Sequence, residues 1–282
     1  MTEARPATGL WRRLTLRPSA RIWIGATTLL TIGLCSVVLP LIFRLDPNGG
    51  NPMNLFLPPS AVHPLGTDGF GRDMLTRILF GTRISLLVGI VSSVGTFVIG
   101  MPLGMLAAYV KVADELVMRV VDALLSLPPV LLAIAFMAIL GAGLTNVLVV
   151  LLIAWTPLTI RMARSATLEV LPREYVEAAG ALGASTPSIL YRHVLRNAID
   201  AVLVQQTVAF VGGIIGEATF SFIGAGVQPP SASLGSILGD AQANFFQAPW
   251  LGIFPGIVLV VIALSAVLVG DGLRDLTAGR EE

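Results

Sequence analysis

The chain is 282 residues long, 55% hydrophobic and only 12% charged, with a formal net charge of +1. Soluble domains carry about 25% charged residues, so a soluble globular protein is excluded, and a near-neutral balance gives no bulk attraction to nucleic acid. The one cysteine, Cys35, leaves no disulfide to form within the chain.

Arg5, Arg12, Arg13, Arg17 and Arg21 precede the first apolar run, Ile22–Phe43. That run exceeds the hydrophobic stretch of a signal peptide, and no small-x-small cleavage site follows it. Leu34 precedes Cys35 where a lipoprotein signal needs a small residue, so the run reads as a retained helix. Crossing a bilayer takes roughly 20 apolar residues. Five further runs are read as crossings: Ile84–Val110, Pro129–Leu144, Val147–Ile160, Ile199–Ile223 and Trp250–Val269. The third and fourth spans are short, with a turn at Gly141-Ala142-Gly143-Leu144-Thr145-Asn146 between them.

The segment Arg44–Arg83 opens with proline- and glycine-rich irregular chain. Phe70, Met74, Leu75, Ile78 and Leu79 then recur at helical spacing, which predicts an amphipathic helix lying on the outer surface. After Pro229-Pro230, Leu234, Ile237, Leu238, Ala241 and Phe245 give a second such stripe. Each stripe is read as a lid over the bundle or as a contact with a partner.

With six spans, the arginines before the first, Lys111 and Arg119 after the second, those after the fourth (Arg161, Arg164, Arg173, Arg192, Arg196) and Arg274 and Arg280 after the sixth fall on one side. The excess of positive charge makes that side, and both termini, cytoplasmic. Arg44, Arg72, Arg77 and Arg83 are exceptions on the opposite side, close in sequence to Asp68 and Asp73.

Between the fourth and fifth spans lies one long polar insert, Leu171-Pro172-Arg173-Glu174-Tyr175-Val176-Glu177-Ala178-Ala179-Gly180-Ala181-Leu182-Gly183. Pro172 suits a first helical turn, and Glu174 suits the positive end of the helix dipole. Tyr175, Ala179 and Leu182 share one face, with Glu177 facing away from it. Ala178 and Ala179 allow another surface to come close. Gly183 can take positive φ and end the helix. Thr186 then caps a second helix, with Pro187 at its first position. This is a helix–turn–helix hairpin, shaped as a docking surface or as a plain amphipathic loop.

Glu217 lies inside the fifth span. Ionisable groups at membrane depth are costly, and Glu217 is read either as a pathway or gate residue or as an interhelix hydrogen-bonding group. His63 and His193 are distant in sequence, and no His-Glu-x-x-His pattern offers a metal site. The only lysine, Lys111, follows Val110, not the glycine that a Walker A loop requires. ATP-driven work would therefore need a partner.

The motif Glu177-Ala178-Ala179, three residues, then Gly183 resembles the coupling-helix loop of ABC importer permeases. His63-Pro64-Leu65-Gly66-Thr67-Asp68, Gly71-Arg72-Asp73, Gly81-Thr82-Arg83-Ile84-Ser85-Leu86, Ser221-Phe222-Ile223-Gly224-Ala225-Gly226-Val227-Gln228-Pro229-Pro230, Ala248-Pro249-Trp250 and Gly270-Asp271-Gly272-Leu273-Arg274-Asp275 resemble the C-type inner-membrane subunit of the dipeptide, oligopeptide and nickel branch. One departure is Leu195-Arg196, where the family usually has leucine-proline.

The resemblance implies an all-α, polytopic bundle of six transmembrane helices with the type I ABC importer permease fold, in a bacterial or archaeal cytoplasmic membrane. It divides the chain into a cytoplasmic segment at 1–21, the first span and external segment at 22–83, and a permease core at 84–282 with its coupling loop at about 161–198. It implies a non-enzymatic chain without cofactor, ATP and Mg being bound by two cytoplasmic ATPase partners. The other implied partners are a second homologous permease subunit, an extracytoplasmic solute-binding protein and membrane lipid. Glu174, Tyr175, Glu177, Ala178, Ala179, Leu182 and Gly183 would meet the ATPase, and short peptides would be the cargo. Nickel complexes or another small solute are the alternative cargo; a self-sufficient ion-coupled carrier is the alternative machine.

Overall fold

The computed structural model describes residues 18–278. Arg5, Arg12, Arg13 and Arg17 at one end and Arg280 at the other lie outside them. Apart from two isolated β-bridges, the regular structure among the described residues is helical. In chain order the helices are α1 (Pro18–Ile42), α2 (Met74–Tyr109), α3 (Lys111–Leu125), α4 (Pro129–Leu140), α5 (Leu144–Val170), α6 (Glu174–Ala181), α7 (Thr186–Ile189), α8 (Leu195–Phe222), α9 (Leu234–Gln242) and α10 (Trp250–Ala278). Five of them, α1, α2, α5, α8 and α10, are long and apolar enough to cross a membrane, the fourth of these counted from Thr186.

Side-chain contacts fix the direction of each helix. Ser85 reaches Glu217 and Thr96 reaches Gln206, so α2 and α8 are antiparallel. Arg83 reaches Ser36, and Arg21 pairs with Asp275, so α1 runs antiparallel to both α2 and α10. The pair α2 and α5 is different. A Cβ at Gly95 would meet Leu152, one at Gly100 would meet Thr159, and one at Gly104 would meet Ala163. Both numbers rise together, so these helices are parallel, and small residues bring their backbones into close approach.

Two parallel helices in sequence require the chain to return between them, and only α3 and α4 lie there. Their 15 and 12 residues span about 22 and 18 Å at 1.5 Å per residue. Neither alone covers the roughly 30 Å hydrocarbon core; the two in series make the return, with α4 its apolar part, since α3 carries Lys111, Asp114, Glu115, Arg119 and Asp122. The six passes are therefore α1, α2, α3 with α4, α5, α8 and α10. The short third span expected at Pro129–Leu144 is the second half of a two-helix return, and its helix stops at Leu140, before Gly141 at φ +81°. α3 leans across α5 through Asp114–Arg164 and Asp122–Arg161 ion pairs.

The predicted outer-surface helix is not separate. Asp73 caps α2 by accepting the Thr76 N–H at 2.9 Å. The helix then runs unbroken for 36 residues into the apolar span. Met74 and Ile78 are buried core positions of that helix, while Phe70 stands in the preceding turn, exposed. Periodicity alone cannot show where one helix stops and a collinear one begins. The second stripe forms α9 (Leu234–Gln242), and Leu234, Ile237 and Ala241 pack into the bundle as a lid, while Phe245 lies beyond the helix end and is exposed. Its Ser233 and Ser236 make a reciprocal capping box.

Three of the four arginines that broke the charge asymmetry, Arg72, Arg77 and Arg83, have structural partners. Arg72 and Arg77 pair with Asp68. Pro40 lacks the N–H that would bond the Ser36 carbonyl, four residues back. Arg83 donates to that carbonyl and, at 3.0 Å, to the Val37 carbonyl. Its guanidinium also lies 4.4 Å from the centre of the Phe80 ring.

Candidate functional site

The polar insert folds as a short helical hairpin at the end of the bundle where α2 and α5 finish and α8 begins. Helix α6 starts at Glu174, with Arg173 as its N-cap, so Pro172 sits two positions ahead of the first helical residue and outside the first turn expected for it. Glu174 and Glu177 fall in the first turn, where the unpaired N–H groups favour negative charge. Helix α6 ends on Gly183 at φ +84°. The Ala184 N–H donates to the Ala179 carbonyl at 3.1 Å and the Gly183 N–H to the Gly180 carbonyl at 2.9 Å. That pair of bonds is the Schellman arrangement, which closes a helix on a left-handed residue. Ser185, without a side-chain capping bond, holds the N-cap position of the next helix, so Thr186 is its first residue and Pro187 its second.

The inward face of α6 differs from the expected Tyr175–Ala179–Leu182 stripe. Val176 is 6% exposed and Ala179 partly buried, both against Met101, Met105, Ala163, Val170, Ile189 and Val194. Thus α6 packs on α7 and, through this shared apolar cluster, joins the ends of α2, α5 and α8. Tyr175 is exposed and its ring stands 6.3 Å from the His193 ring. Leu182 is 89% exposed at the hairpin tip. Glu174, Glu177 and Ala178 lie on the open side. The Tyr109 and Thr186 hydroxyls, 3.1 Å apart, tie the hairpin to the end of α2.

Arg196 stands within α8, in place of the family's proline. A π-turn at Leu190–Val194 joins α7 to α8, and helical backbone continues from Thr186 to Phe222. The second arm of the hairpin and the span are thereby one continuous helix.

Glu217 lies near the opposite end of α8 and is 0% exposed. Ser85 of α2 donates to it at 3.1 Å and Ser221 at 2.6 Å. Ser221 in turn accepts the Val227 N–H at 3.0 Å. One carboxyl therefore ties α2 to α8. A cavity of about 470 Å³ between α5, α8 and α10 is lined by neighbours of Glu217 but not by Glu217 itself.

A family model for the binding-protein-dependent transport system inner membrane component matches residues 100–280, which include both the hairpin and Glu217. The chain belongs to that family. The di/tripeptide transport system permease protein of Pseudomonas aeruginosa is 38% identical over 258 residues, covering 89% of this chain and 85% of that protein. The dipeptide transport system permease protein of Alkalihalophilus pseudofirmus is 36% identical over 253 residues, 89% of this chain and 83% of its own. The glutathione transport system permease protein of Pectobacterium atrosepticum is 38% identical over 266 residues, 94% and 88% of the two chains. A solved chain of the MetNI methionine ABC transporter, in an inward-facing conformation, superposes with a TM-score of 0.59. It is 23% identical and covers 72% of this chain and 97% of its own, a likeness of fold.

The permease is thus an all-helical integral component of an inner-membrane transporter that has other subunits. Its hairpin brings six predicted positions, Glu174, Tyr175, Glu177, Ala178, Leu182 and Gly183, to an accessible rim, while Ala179 turns inward. Glu217 stands apart from them, at the other end of the span. His63 bonds Asp73 through Nδ1 at 3.0 Å and is remote from His193. Val176 escaped the sequence reading because one valine in a polar insert carries no periodic signal. The role of Arg83 was legible in principle: a proline in an apolar run frees a carbonyl, and a nearby arginine can answer it.

Proposed function

We propose that this permease forms half of the pathway of an ATP-driven importer of short peptides, paired with a second homologous permease subunit. Two cytoplasmic ATPases bind and hydrolyse ATP with Mg, one of them gripping the α6–α7 hairpin. An extracytoplasmic solute-binding protein delivers cargo to the opposite end. The observation that carries this reading is the two-sided hairpin. One side, Val176 and Ala179, is fastened to the ends of three spans, and the other offers two carboxylates, small residues and an exposed leucine tip. Such a piece transmits force as a rigid body, in the manner of switches that rotate packed elements between two arrangements. In this reading Glu177 is the polar contact, Ala178 the close-packing surface and Gly183 the turn.

The names of the peptide and glutathione relatives support peptide cargo, and nickel complexes or another small solute are the alternative. The hairpin end also carries Arg161, Arg164, Arg173, Arg192 and Arg196, and the Arg21–Asp275 pair brings the first and last spans to that same end. This supports a cytoplasmic hairpin with both termini on its side. A self-sufficient ion-coupled carrier would need an accessible ionisable group in the span. Glu217, enclosed and held by serines, favours a positioning role over that of a gate.

The test is Glu177→Lys in the assembled transporter. The bundle should fold with unchanged thermal stability, since Glu177 is exposed, while ATPase recovery with the permease and ATP-driven uptake both fall. Unchanged assembly and uptake would remove the hairpin from the coupling role.

A further inference from the structure

At the end of the bundle away from the hairpin, the irregular segment before α2 folds against α9 and leaves a small pocket of about 150 Å³. Arg77, from the first turn of α2, lines it and is only 3% exposed. A guanidinium has five N–H donors in a planar fork, and here they are poorly met. Nη1 is buried with no hydrogen-bond partner. Nε stands 3.5 Å from Asp68 and Nη2 3.7 Å from Asp240, both beyond good hydrogen-bond length. Asp68 is already engaged: it accepts the Phe70 and Arg72 backbone N–H groups at 2.9 Å and Arg72 Nε at 2.6 Å. Asp240 has its carboxylate largely in solvent. A buried, under-bonded guanidinium on the wall of a cavity is costly unless an acceptor fills it.

We propose that this pocket is a carboxylate-binding site, with Arg77 as its fork and Asp240 as the internal competitor that an incoming carboxylate displaces. A planar, two-oxygen anion matches the guanidinium edge better than a spherical one. Asn244 on the rim adds a side-chain amide, and Phe70 and Leu251 offer apolar wall to a short stem. The volume suits one carboxylate on a short chain. It can come from the C-terminus of a free peptide or from an acidic side chain that another protein presents. The site is independent of the hairpin's role in coupling.

The test uses the transporter assembled with its partner subunits in lipid nanodiscs, titrated with sodium acetate against sodium chloride at equal ionic strength, binding being read by ligand-observed NMR. Acetate should bind saturably where chloride does not compete. Arg77→Gln should weaken acetate at least about tenfold. Asp240→Asn should tighten it by roughly threefold. Opposite signs at two residues that form one ion pair are not produced by loss of structure. N-acetylglycine and its neutral amide separate the sources. Binding of the acid but not the amide supports the site and names a peptide terminus. Binding of acetate without N-acetylglycine supports it and names a presented side chain. Equal competition by chloride, an adventitious ion only, overturns the proposal, as does equal binding of acid and amide. If Arg77→Gln fails to fold, Asp240→Asn decides: affinity unchanged or weakened overturns the site.

Discussion

Gly183 offers the cleanest test of whether the hairpin's geometry is set by its backbone. Its φ of +84° is a left-handed conformation, and an added Cβ would find nothing within 4 Å. Steric neighbours therefore contribute nothing, and the whole cost of Gly183→Ala is the intrinsic penalty for a side chain in that region, about 1–2 kcal/mol. Asparagine visits the region more readily and should cost less. The bonds at stake are the Ala184 N–H to the Ala179 carbonyl and the Gly183 N–H to the Gly180 carbonyl. A penalty of that size shifts a local open–closed equilibrium by about 5- to 30-fold. Hydrogen exchange by mass spectrometry, on the transporter in nanodiscs, reads it directly. Exchange in peptides containing Ala184 should accelerate by about that factor in Gly183→Ala, less in Gly183→Asn, and most in the β-branched Gly183→Val. Peptides from the middle of α8 should be unchanged. If all three variants exchange like the parent, or if asparagine is as damaging as valine, the left-handed closure does not hold the hairpin.

Replacing Glu217 separates hydrogen bonding from charge. Glu217→Gln keeps an acceptor for the Ser85 and Ser221 hydroxyls and should retain uptake; Glu217→Ala leaves them unmatched and should lower stability by about 1–3 kcal/mol, read as a fall in the thermal unfolding midpoint. Loss of uptake in the stable glutamine variant would instead favour a gate. Arg83→Ala should destabilise the parent, but less so beside Pro40→Ala, because the restored N–H serves the Ser36 carbonyl; a double-mutant cycle should show coupling of about 0.5–3 kcal/mol, and strict additivity would sink the pairing. Gly212→Ala should cost about 1–3 kcal/mol by overpacking, since its Cβ would stand 2.0 Å from the Trp155 ring; partial rescue by Trp155→Leu checks the contact, and no rescue refutes it.

Much of the membrane architecture was legible from composition. Bilayer thickness sets a minimum apolar length, so α1, α2, α5, α8 and α10 declared themselves as runs. The hairpin was equally legible, because a polar stretch ending on glycine has few other ways to satisfy its carbonyls. What misled was collinearity: the pattern at Met74, Leu75, Ile78 and Leu79 is the same whether it belongs to a surface helix or to the start of α2.

The amino-acid sequence alone determined the solvent of this protein, the number of its passes and the place of its polar hairpin, since these depend on local chemistry: apolar length, turn residues and charge. Tertiary structure alone decided that α2 and α5 run parallel and force α3 and α4 to share one return. It alone decided that Val176 is buried beneath the hairpin, that Glu217 ties α2 to α8, and that Arg77 stands under-bonded at a pocket. Each of these depends on which residues distant in the chain come within a few ångströms, and no local pattern encodes that distance.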